Sequence, residues 1–449
     1  MTTPVWLCSL TVSPPFIIVI IIIIVCPGHR IISRVKHIKT MPRAEPVEYQ
    51  FIHRRAGHVM VAFDKRLFVW GGYMELPHSE SYTLMTPSKC LYHSAIDVFM
   101  YDPLLDTWTR RMSNGHIPLQ LSGSCAAVHK QHMYLFGGWT SSTSDEYENS
   151  SNSLWRLHLP TLTWELLFPE GIPPFPCDKA ACWVFKNRFY VFGGFGPSRE
   201  LHTMSGIKVN FVRDSVFPSG WIDQLVYYDI ENNKWVWPET RGPKPSPRAA
   251  HTADITGDKV YIFGGRFKET RMNDLHCLDL TSLRWSGNLT ESAIQETPEG
   301  RSWHTFNFIS ENKAVIYGGF NTTQQVLNDC WLLKVEVEEP FQALCSIEWQ
   351  EIPLAYDHGE PRCWHTAAVV PPGELYILSG LTQPYYVTMV ILIDHAEDLL
   401  VLRFSPPSLQ RLAIEAVCKH EVKLREQWHL LPHTLQHILE VRTCSDRIS

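Results

Sequence analysis

Two arginines, a lysine and a serine offer the chemistry of anion binding in this sequence of 449 residues. Arg266 directly follows a Gly-Gly pair and Arg271 comes five residues later, so both lie in one predicted inter-strand loop. An arginine pair can hold a carboxylate through forked, charge-assisted hydrogen bonds. Lys179 and Ser302 lie in matching stretches of neighbouring repeats and would add donors. Each cation alone is equally well explained as a solvated loop charge, whereas a cationic cluster in a chain of net charge −6 favours a site.

Trp221 and Trp303 are the candidate apolar walls of this site. Trp221 ends a long insertion in the third repeat, and Trp303 directly follows Ser302. If the repeats form a ring, these segments gather on one face around the central channel. The prediction is a concave site in which aromatic walls surround a cationic cluster.

Catalytic and nucleic-acid-binding functions are not indicated. The sequence contains no G-x-S-x-G, H-E-x-x-H, P-loop or dinucleotide-binding motif. Its 12 cysteines form no C-x-x-C pair, which argues against a zinc finger, and we interpret most of them as small buried side chains in a reducing compartment. The negative net charge disfavours a nucleic-acid partner. We therefore predict a non-catalytic protein without metal or cofactor.

A Gly-Gly pair after a β-branched and aromatic run recurs along the chain and defines a repeat. Successive pairs lie 54 to 71 residues apart. They end at Gly72, Gly138, Gly194, Gly265, Gly319 and, with Ser379 in place of the first glycine, at Gly380. Runs rich in Val, Ile, Phe and Tyr are typical of strands that are buried on both faces. Glycine lets the chain leave such a strand with a positive φ.

Two further marks keep register with the Gly pairs. An Arg-x-x-His mark precedes four of them and supplies His58, His251, His304 and His365. A tryptophan closes most repeats, namely Trp108, Trp164, Trp235, Trp285 and Trp349. These tryptophans are expected to fill the space between adjacent repeats. The histidines could converge on a metal, but we favour repeated structural residues that start strands and bond to the backbone.

These marks predict an all-β fold, a six-bladed β-propeller over residues 47–404 with a short C-terminal helical extension. One four-stranded blade cannot bury both faces alone, whereas a closed ring can. The last repeat lacks its closing tryptophan, so residues 47–52 are predicted to supply the outer strand of blade six and close the ring. The arrangement resembles the kelch family. Copper oxidases built on kelch propellers are the enzyme alternative, and the Tyr, His and Cys constellation that they need has no marker here.

The local sequence around the candidate site is more specific. The stretches GGRFKETRMNDLH, GRSWHT and PRCWHT resemble the kelch domain-containing protein 1/2 family, substrate receptors of cullin-RING ubiquitin ligases that recognise C-terminal degrons, chiefly those ending in Gly-Gly. The resemblance implies that the terminal carboxylate is held by Arg266, Arg271 and Ser302, and that the pocket is lined by Lys179, Trp221 and Trp303. Contacts close to the backbone leave no room for a Cβ, which suits glycine. Phe195 stands where the family has a tyrosine, so the wall remains but one hydrogen bond, worth ~1 kcal/mol, is lost.

Residues 405–449 are predicted to form a helical tail that begins after Pro406-Pro407 with Ser408 as the N-cap. One box, Leu409-x-x-x-Ala413-x-x-x-Val417, resembles the motif that docks on elongin C, with alanine where the family usually has cysteine. A second box, Leu431-Pro432-x-x-Leu435, resembles the motif that selects cullin-2, while the Leu-Pro-x-Pro form of cullin-5 is absent. The resemblance implies elongin B/C and cullin-2 as partners. The alternative is a pair of helices that only pack against the propeller rim.

Residues 1–46 are predicted to be an extension outside the propeller. Residues 16–26 form an apolar run, but a membrane span needs about 20 residues and no charged residue precedes the run, which weakens a signal peptide or anchor. We favour a start at Met41 and a location in the nucleus and cytoplasm. A secreted or membrane-anchored kelch protein is one alternative, and a scaffold propeller without a ligase role is another.

Overall fold

The computed structural model describes residues 32–36, 52–75, 90–141, 149–197, 209–215, 219–292, 296–336, 346–354, 359–383 and 394–445. These residues form six sheets of four or five strands, one three-stranded sheet and one two-stranded sheet. The six larger sheets are the blades of a propeller. The predicted all-β class and the kelch-type repeat are therefore confirmed.

Each blade is an antiparallel sheet whose strands follow one another from the channel outward. Blade one consists of Val59–Phe63, Arg66–Trp70, Asp97–Asp102 and Thr107–Met112. Blade two consists of Cys125–His129, His132–Phe136, Leu154–His158 and Thr163–Leu167, with Asn114–Gly115 at its edge. Blade three consists of Ala181–Phe185, Arg188–Phe192, Leu225–Asp229 and Lys234–Val236. Blade four consists of Thr252–Thr256, Lys259–Phe267, Thr270–Asp279 and Arg284–Asn288. Blade five consists of Thr305–Ser310, Lys313–Asn321, Val326–Glu336 and Ser346–Glu351, and the short strand Arg301–Ser302 pairs with Lys313–Asn321. Blade six consists of Thr366–Val370, Glu374–Leu378, Leu399–Arg403 and Ile32–Lys36.

The end of the ring at which the second strand of each blade reaches its Gly pair is called the top face below. Two small sheets lie in the insertions that follow the Gly pairs. They consist of Phe195–Pro197, Ser219–Ile222 and Phe211–Arg213 in blade three and of Tyr73–Glu75 and Cys90–Tyr92 in blade one. At Gly264, whose φ is +62°, a Cβ would come within 2.7 Å of the carbonyl oxygen of Arg301. Glycine is required there because the next blade approaches so closely.

Six backbone hydrogen bonds close the ring around the channel. One residue of each blade donates its N–H to the carbonyl of its counterpart in the preceding blade, over 2.7 to 3.2 Å, and blade one donates to blade six. The six residues are Gly57, Gly123, Lys179, Ala250, Trp303 and Trp364. All six have a positive φ. These six residues are called the ring positions below. Because their hydrogen bonds form a closed series, they show directly that the propeller has six blades.

The outer strand of blade six differs from the prediction. Ile32–Lys36 lies antiparallel to Leu399–Arg403, with Ile32 opposite Arg403. Residues 47–52 had been predicted to fill this edge, and residues 47–51 lie outside the described residues. An N-terminal strand does close the ring, but the segment that supplies it is a different one.

Each pair of neighbouring blades buries an apolar core between its sheets. The closing tryptophans lie in these cores and are at most 5% exposed. Four of them meet the aromatic residue that precedes the Gly pair of the preceding blade, with ring centroids 5.2 to 5.8 Å apart, in the pairs Trp70–Trp164, Phe136–Trp235, Phe192–Trp285 and Phe263–Trp349. The predicted place of the tryptophans between repeats is confirmed.

A layer of arginines lies fully buried beneath the top face. Arg248 and Arg301 each donate to a carbonyl of their own Gly pair at 3.0 Å and form a two-pronged pair with an aspartate of the third strand, Asp274 or Asp329. Arg362 pairs with Asp398 at 2.7 Å. Such pairs lock the Gly turn to the next strand, because neither charge can be left unpaired in the interior.

The histidines of the Arg-x-x-His marks link one blade to the next. Rings of His58, His304 and His365 hydrogen-bond threonine hydroxyls of the preceding blade, the partners being Thr366, Thr252 and Thr305. The predicted backbone partners are present for His251, at Phe192, and for His365, at Tyr317 and Arg362. The threonine partners were not predicted. Each histidine lies at the start of an inner strand, as expected. Burial and the neighbouring arginine lower the pKa of His251 and of His365 to about 3. The described residues contain no group of three or more ligands suited to a metal.

The tail is helical, as predicted. It comprises α1 (Leu409–Lys419), α2 (Glu421–Leu424), a 3-10 turn (Arg425–Leu430) and α3 (His433–Ser445). The Ser408 hydroxyl accepts a hydrogen bond from the N–H of Arg411 at 3.3 Å, which confirms the predicted N-cap. No helix among the described residues is long and apolar enough to span a bilayer; the apolar run 16–26 lies outside them.

The tail packs across the seam where the ring closes. Arg411 donates to Glu374 and, at 3.1 Å, to the Tyr376 hydroxyl, both on blade six. At the other end, Arg442 donates to the carbonyl of Pro103 on blade one at 3.4 Å. The tail therefore bridges the first and last blades, and its apolar cluster includes residues of the blade-one turn.

Candidate functional site

The centre of the top face is built on the ring positions. Blades one, two and four place small residues there, which are Gly57, Gly123 and Ala250. Blades three, five and six place large ones, which are Lys179, Trp303 and Trp364. A side chain at a ring position lies at the mouth of the channel. The large side chains of blades three, five and six therefore border a space that the small residues of blades one, two and four leave open. The channel beneath has a volume of about 510 Å³ and is lined by the inner strands.

Blade three supplies one wall through the insertion after its Gly pair. Phe195 and Trp221 pair across this small sheet, and their rings meet edge-on at 5.3 Å. The ammonium of Lys179 lies 5.6 Å from the Phe195 ring and 5.7 Å from the Trp364 ring, and it also pairs with the Asp178 carboxylate. The Lys179 side chain therefore reaches both the small sheet of blade three, at Phe195, and the ring position of blade six, at Trp364.

Blade four supplies two guanidinium groups on a hairpin that extends beyond the blade. Arg266 and Arg271 are directly opposite one another in the two strands. Arg266 lies over the Trp221 ring at 5.5 Å and reaches the exposed Glu269 only at 3.6 Å. Arg271 lies over the Phe320 ring at 5.1 Å and donates to the carbonyl of Glu269 at 3.2 Å. Both cations rest on aromatic faces, which favours a positive charge in a partly buried place.

Ser302 comes from the short strand at the start of blade five. It pairs with Phe320, the residue beneath Arg271, and is fully buried. Its hydroxyl has no hydrogen-bond partner. A buried hydroxyl without a partner costs free energy, so its presence points to a ligand that supplies the missing acceptor.

Six of the seven predicted site residues lie in one closed circuit of contacts around the centre of the top face, and the seventh, Ser302, adjoins it through its strand partner Phe320. The circuit runs through Lys179, Phe195, Trp221, Arg266, Arg271, Phe320, Trp303 and Trp364 and returns to Lys179. The seven predicted residues are thus brought together from blades three, four and five. The arrangement can hold an anion between two guanidinium groups and a hydroxyl, with aromatic rings on either side.

Trp364 and Phe320 belong to this circuit and were missed in the sequence. Trp364 stacks on Trp303 with ring centroids 5.2 Å apart. It occupies the same place in the mark Arg362-Cys-Trp364-His365 as Trp303 does in Arg301-Ser-Trp303-His304, so the repeat contained the information needed to find it. Phe320 follows a Gly pair, as Phe195 and Arg266 do.

The tail presents some of its predicted docking residues and buries others. Leu409 is 58% exposed and Leu412 is 43% exposed on α1. Ala413 and Val417 are half-buried, and Val417 packs into the tail's own cluster. Among the residues of the second box, Pro432 is exposed, while Leu431 and Leu435 pack into the same cluster against blade one.

The fold and the Gly-pair repeat define the class of this protein as a kelch-repeat propeller. A model of the KLHDC2/KLHL20/DRC7 Kelch-repeats domain matches residues 57–210 and 215–405. Kelch repeats generally act as non-catalytic interaction modules, and a domain of this kind implies that the protein binds another protein.

Comparison with known proteins defines the family more closely. The chain is 33% identical over 401 residues to Kelch domain-containing protein 2 of Bos taurus, an alignment that covers 88% of this chain and 92% of the relative. It is 32% identical over 408 residues to Kelch domain-containing protein 1 of Mus musculus, with 88% and 92% covered. The human Kelch domain-containing protein 2 is 33% identical over 410 residues, with 90% and 94% covered. The chain belongs to the Kelch domain-containing protein 1/2 family.

Proposed function

We propose that this protein is a substrate receptor of a cullin-RING ubiquitin ligase and that its top face binds the C-terminus of a substrate. The observation that carries this proposal is the junction of Arg266, Arg271 and Ser302. The two guanidinium groups come from residues paired on adjacent strands, and Arg271 lies over the ring of Phe320, the strand partner of Ser302, whose buried hydroxyl lacks a partner. A terminal carboxylate has two oxygens and can accept from all three groups, and a water-excluded setting strengthens such bonds.

The crowding of the circuit favours glycine at the end of the substrate. Aromatic rings pack against both arginines and against Lys179 at 5.1 to 5.7 Å. A carboxylate that reaches the guanidinium groups between these rings brings its own backbone close to them, and glycine has no Cβ to clash. Substrates with Gly-Gly-like ends therefore suit the site. Phe195 gives the wall its ring without a hydroxyl, so the preference at the second residue can differ from that of a tyrosine-bearing relative.

The proposed role of the tail is to recruit elongin B/C and cullin-2. Leu409 and Leu412 expose apolar side chains on one face of α1, as an amphipathic helix that docks in a groove requires. Because α1 is tied to blade six through Arg411, the docking helix and the substrate site move as one body. Leu431 and Leu435 contribute to cullin selection only through the surface that remains exposed beside Pro432. The nucleus and cytoplasm are the proposed location.

Binding of a fluorescent peptide that ends in Gly-Gly tests the substrate site. Arg266→Ala and Arg271→Ala should each weaken binding at least about thirtyfold, because each removes charge-assisted bonds worth ~2 kcal/mol. Lys268→Ala, on the tip of the same hairpin, is the matched control and should bind normally. The same peptide with an amidated C-terminus should not bind. Equal affinity for acid and amide would instead favour the alternative, a scaffold propeller without a ligase role.

Co-purification with elongin B/C tests the tail. Leu409→Asp should abolish it without loss of peptide binding, because a charge replaces the apolar anchor of the helix. The control is Met112→Asp, which changes another exposed apolar residue, on blade one. This protein should still co-purify with elongin B/C. Elongin that stays bound to the Leu409→Asp protein would contradict the adaptor role.

A further inference from the structure

Glu75 is a buried carboxylate beside the wall of the site on the side of blades one and six. Its side chain lies in the small sheet of blade one and the residue is 3% exposed. One carboxylate oxygen accepts from the Tyr73 hydroxyl at 3.3 Å, and the other is buried without a hydrogen-bond partner. A carboxylate in this condition is costly, which makes it a candidate for function rather than for stability.

Tyr73 connects this carboxylate with the binding site. Its ring meets Trp364 edge-on at 5.5 Å, and Trp364 stacks on Trp303 at 5.2 Å. Both tryptophans belong to the circuit that surrounds the centre of the top face. From Arg271 the ring contacts run through Phe320, Trp303 and Trp364 to Tyr73, with successive spacings of 5.1, 6.0, 5.2 and 5.5 Å. An extended residue spans about 3.3 Å, so a chain whose carboxylate is held at Arg271 reaches Tyr73 within about its last seven residues.

We propose that Glu75 makes the site selective for substrate C-termini that carry a lysine or arginine upstream of the terminal Gly-Gly, within about the last seven residues. This inference rests on the proposed function, because it takes the carboxylate to lie at Arg266 and Arg271. The site then has opposite charges at its two ends, and an extended peptide with a terminal anion and an upstream cation matches both. An acidic residue at the upstream position would face Glu75 and be rejected.

The charge of Glu75 changes near neutral pH. Burial raises its pKa to about 7, although the Tyr73 hydrogen bond opposes the shift. The titratable groups that face it are Tyr73, Cys90 and Tyr92 on its own sheet and Cys363 and His395 on blade six. Burial lowers the pKa of His395 to about 4 and raises that of Cys90 to about 11 and of Cys363 to about 12. Beyond His395, Arg54 pairs with Asp394 and Glu397. Among the groups with a shifted pKa on these two elements, Glu75 is the one whose pKa lies between 6 and 8.

The test uses the full chain and sets of three eight-residue peptides that end in Gly-Gly and differ only in Lys, Ala or Glu at one residue, which is moved in turn from the third to the seventh residue from the end. At pH 8 the wild type should, in at least one set, bind the Lys peptide about fivefold more tightly than the Glu peptide, as a partly screened charge interaction predicts. At pH 6 the ratio should shrink towards one, because Glu75 is then protonated. The E75Q protein should bind all three peptides of that set alike at both pH values.

Glu397→Gln is the matched control. It removes a negative charge from the same side of the top face and should keep the fivefold ratio. A ratio that persists in E75Q, or no ratio in a wild type that binds Gly-Gly peptides, would overturn the role of Glu75. The peptides are also tested as amides. Equal binding of acids and amides would overturn the proposed function, whether or not Glu75 discriminates, and no binding at all would overturn both.

Discussion

Arginines at two depths of the same blades serve opposite purposes. Arg248 and Arg301 lie fully buried, and each is bound by an aspartate and by a carbonyl of its own Gly pair. Arg266 lies above them on the top face, rests on a tryptophan ring and has a carboxylate neighbour only at 3.6 Å, one that is 84% exposed. The lower guanidinium groups have aspartate partners within the chain, whereas Arg266 has a hydrogen bond to the carbonyl of Lys268 and only a long contact with an exposed carboxylate. A buried arginine with an internal carboxylate is structural, and one on an aromatic face at the mouth of a concavity is available for binding.

The largest effect is expected in the buried layer. Arg301→Ala leaves Asp329 without its partner in the interior and should lower the free energy of unfolding by ~3–5 kcal/mol. Urea unfolding followed by tryptophan fluorescence measures this change. Arg266→Ala is the matched substitution on the top face and should change stability by less than ~0.5 kcal/mol. Similar destabilisation by both substitutions would remove the distinction between the two layers.

Acid should destabilise the fold through the buried histidines. A histidine in the unfolded chain has a pKa of about 6.5, whereas His251 and His365 have pKa values of about 3 in the folded chain. The unfolded state therefore binds more protons between these values, and the stability is present above pH 6.5 and lost as the pH falls towards 3. The urea midpoint should fall steadily from pH 7 to pH 5.

His365→Gln should make that decline shallower, since it removes one of the groups that must protonate. The exposed His116→Gln is its control. A urea midpoint that is independent of pH over this range would show that the buried histidines do not couple to folding.

A smaller and more specific effect is expected when an upper arginine is changed to lysine. Arg266→Lys keeps the charge but replaces the planar fork with a point charge, so peptide affinity should fall about tenfold, or ~1.4 kcal/mol, with no loss of stability. Fluorescence polarisation with the Gly-Gly peptide measures the affinity. Full affinity in the lysine variant would mean that only charge, and not forked geometry, is used.

The smallest effect is expected at Ser302. This residue follows Arg301 of the buried arginine layer and belongs to the candidate site on the top face. Ser302→Ala removes a buried hydroxyl that has no partner in the free protein. We expect affinity to fall about fivefold, by ~1 kcal/mol, while stability stays equal or rises slightly. Loss of stability together with affinity would mean that the hydroxyl has a structural partner in the free protein.

Local repeats predicted most of the propeller, and long-range pairing accounts for what they missed. The tryptophans and Gly pairs were placed correctly, because every blade must fill the same gap with the next. The outer strand of blade six was assigned to residues 47–52, although Ile32–Lys36 occupies it, because an edge strand that pairs with Leu399–Arg403 is chosen by contacts across nearly the whole chain. The threonine partners of the histidines were missed for a similar reason, since a local sequence pattern does not show which hydroxyls of a neighbouring blade come close.

The candidate site divides in the same way. Arg266 and Arg271 were identified by their place in the loop after a Gly pair and Ser302 by its place inside an Arg-x-x-His mark, and the resemblance to the family implied their roles. The burial of Ser302, the stacking of Trp364 on Trp303 and the unpaired oxygen of Glu75 depend on which segments meet. None of these could be read from spacing alone.

The sequence by itself determined the all-β class, the repeat and the residue types at each blade, because the same packing problem recurs and demands the same solution. The tertiary structure decided which charges are satisfied within the chain and which remain open to a ligand. A charge is paired only when the fold brings a group of opposite charge within contact distance, and in a closed ring that group lies on another strand or another blade.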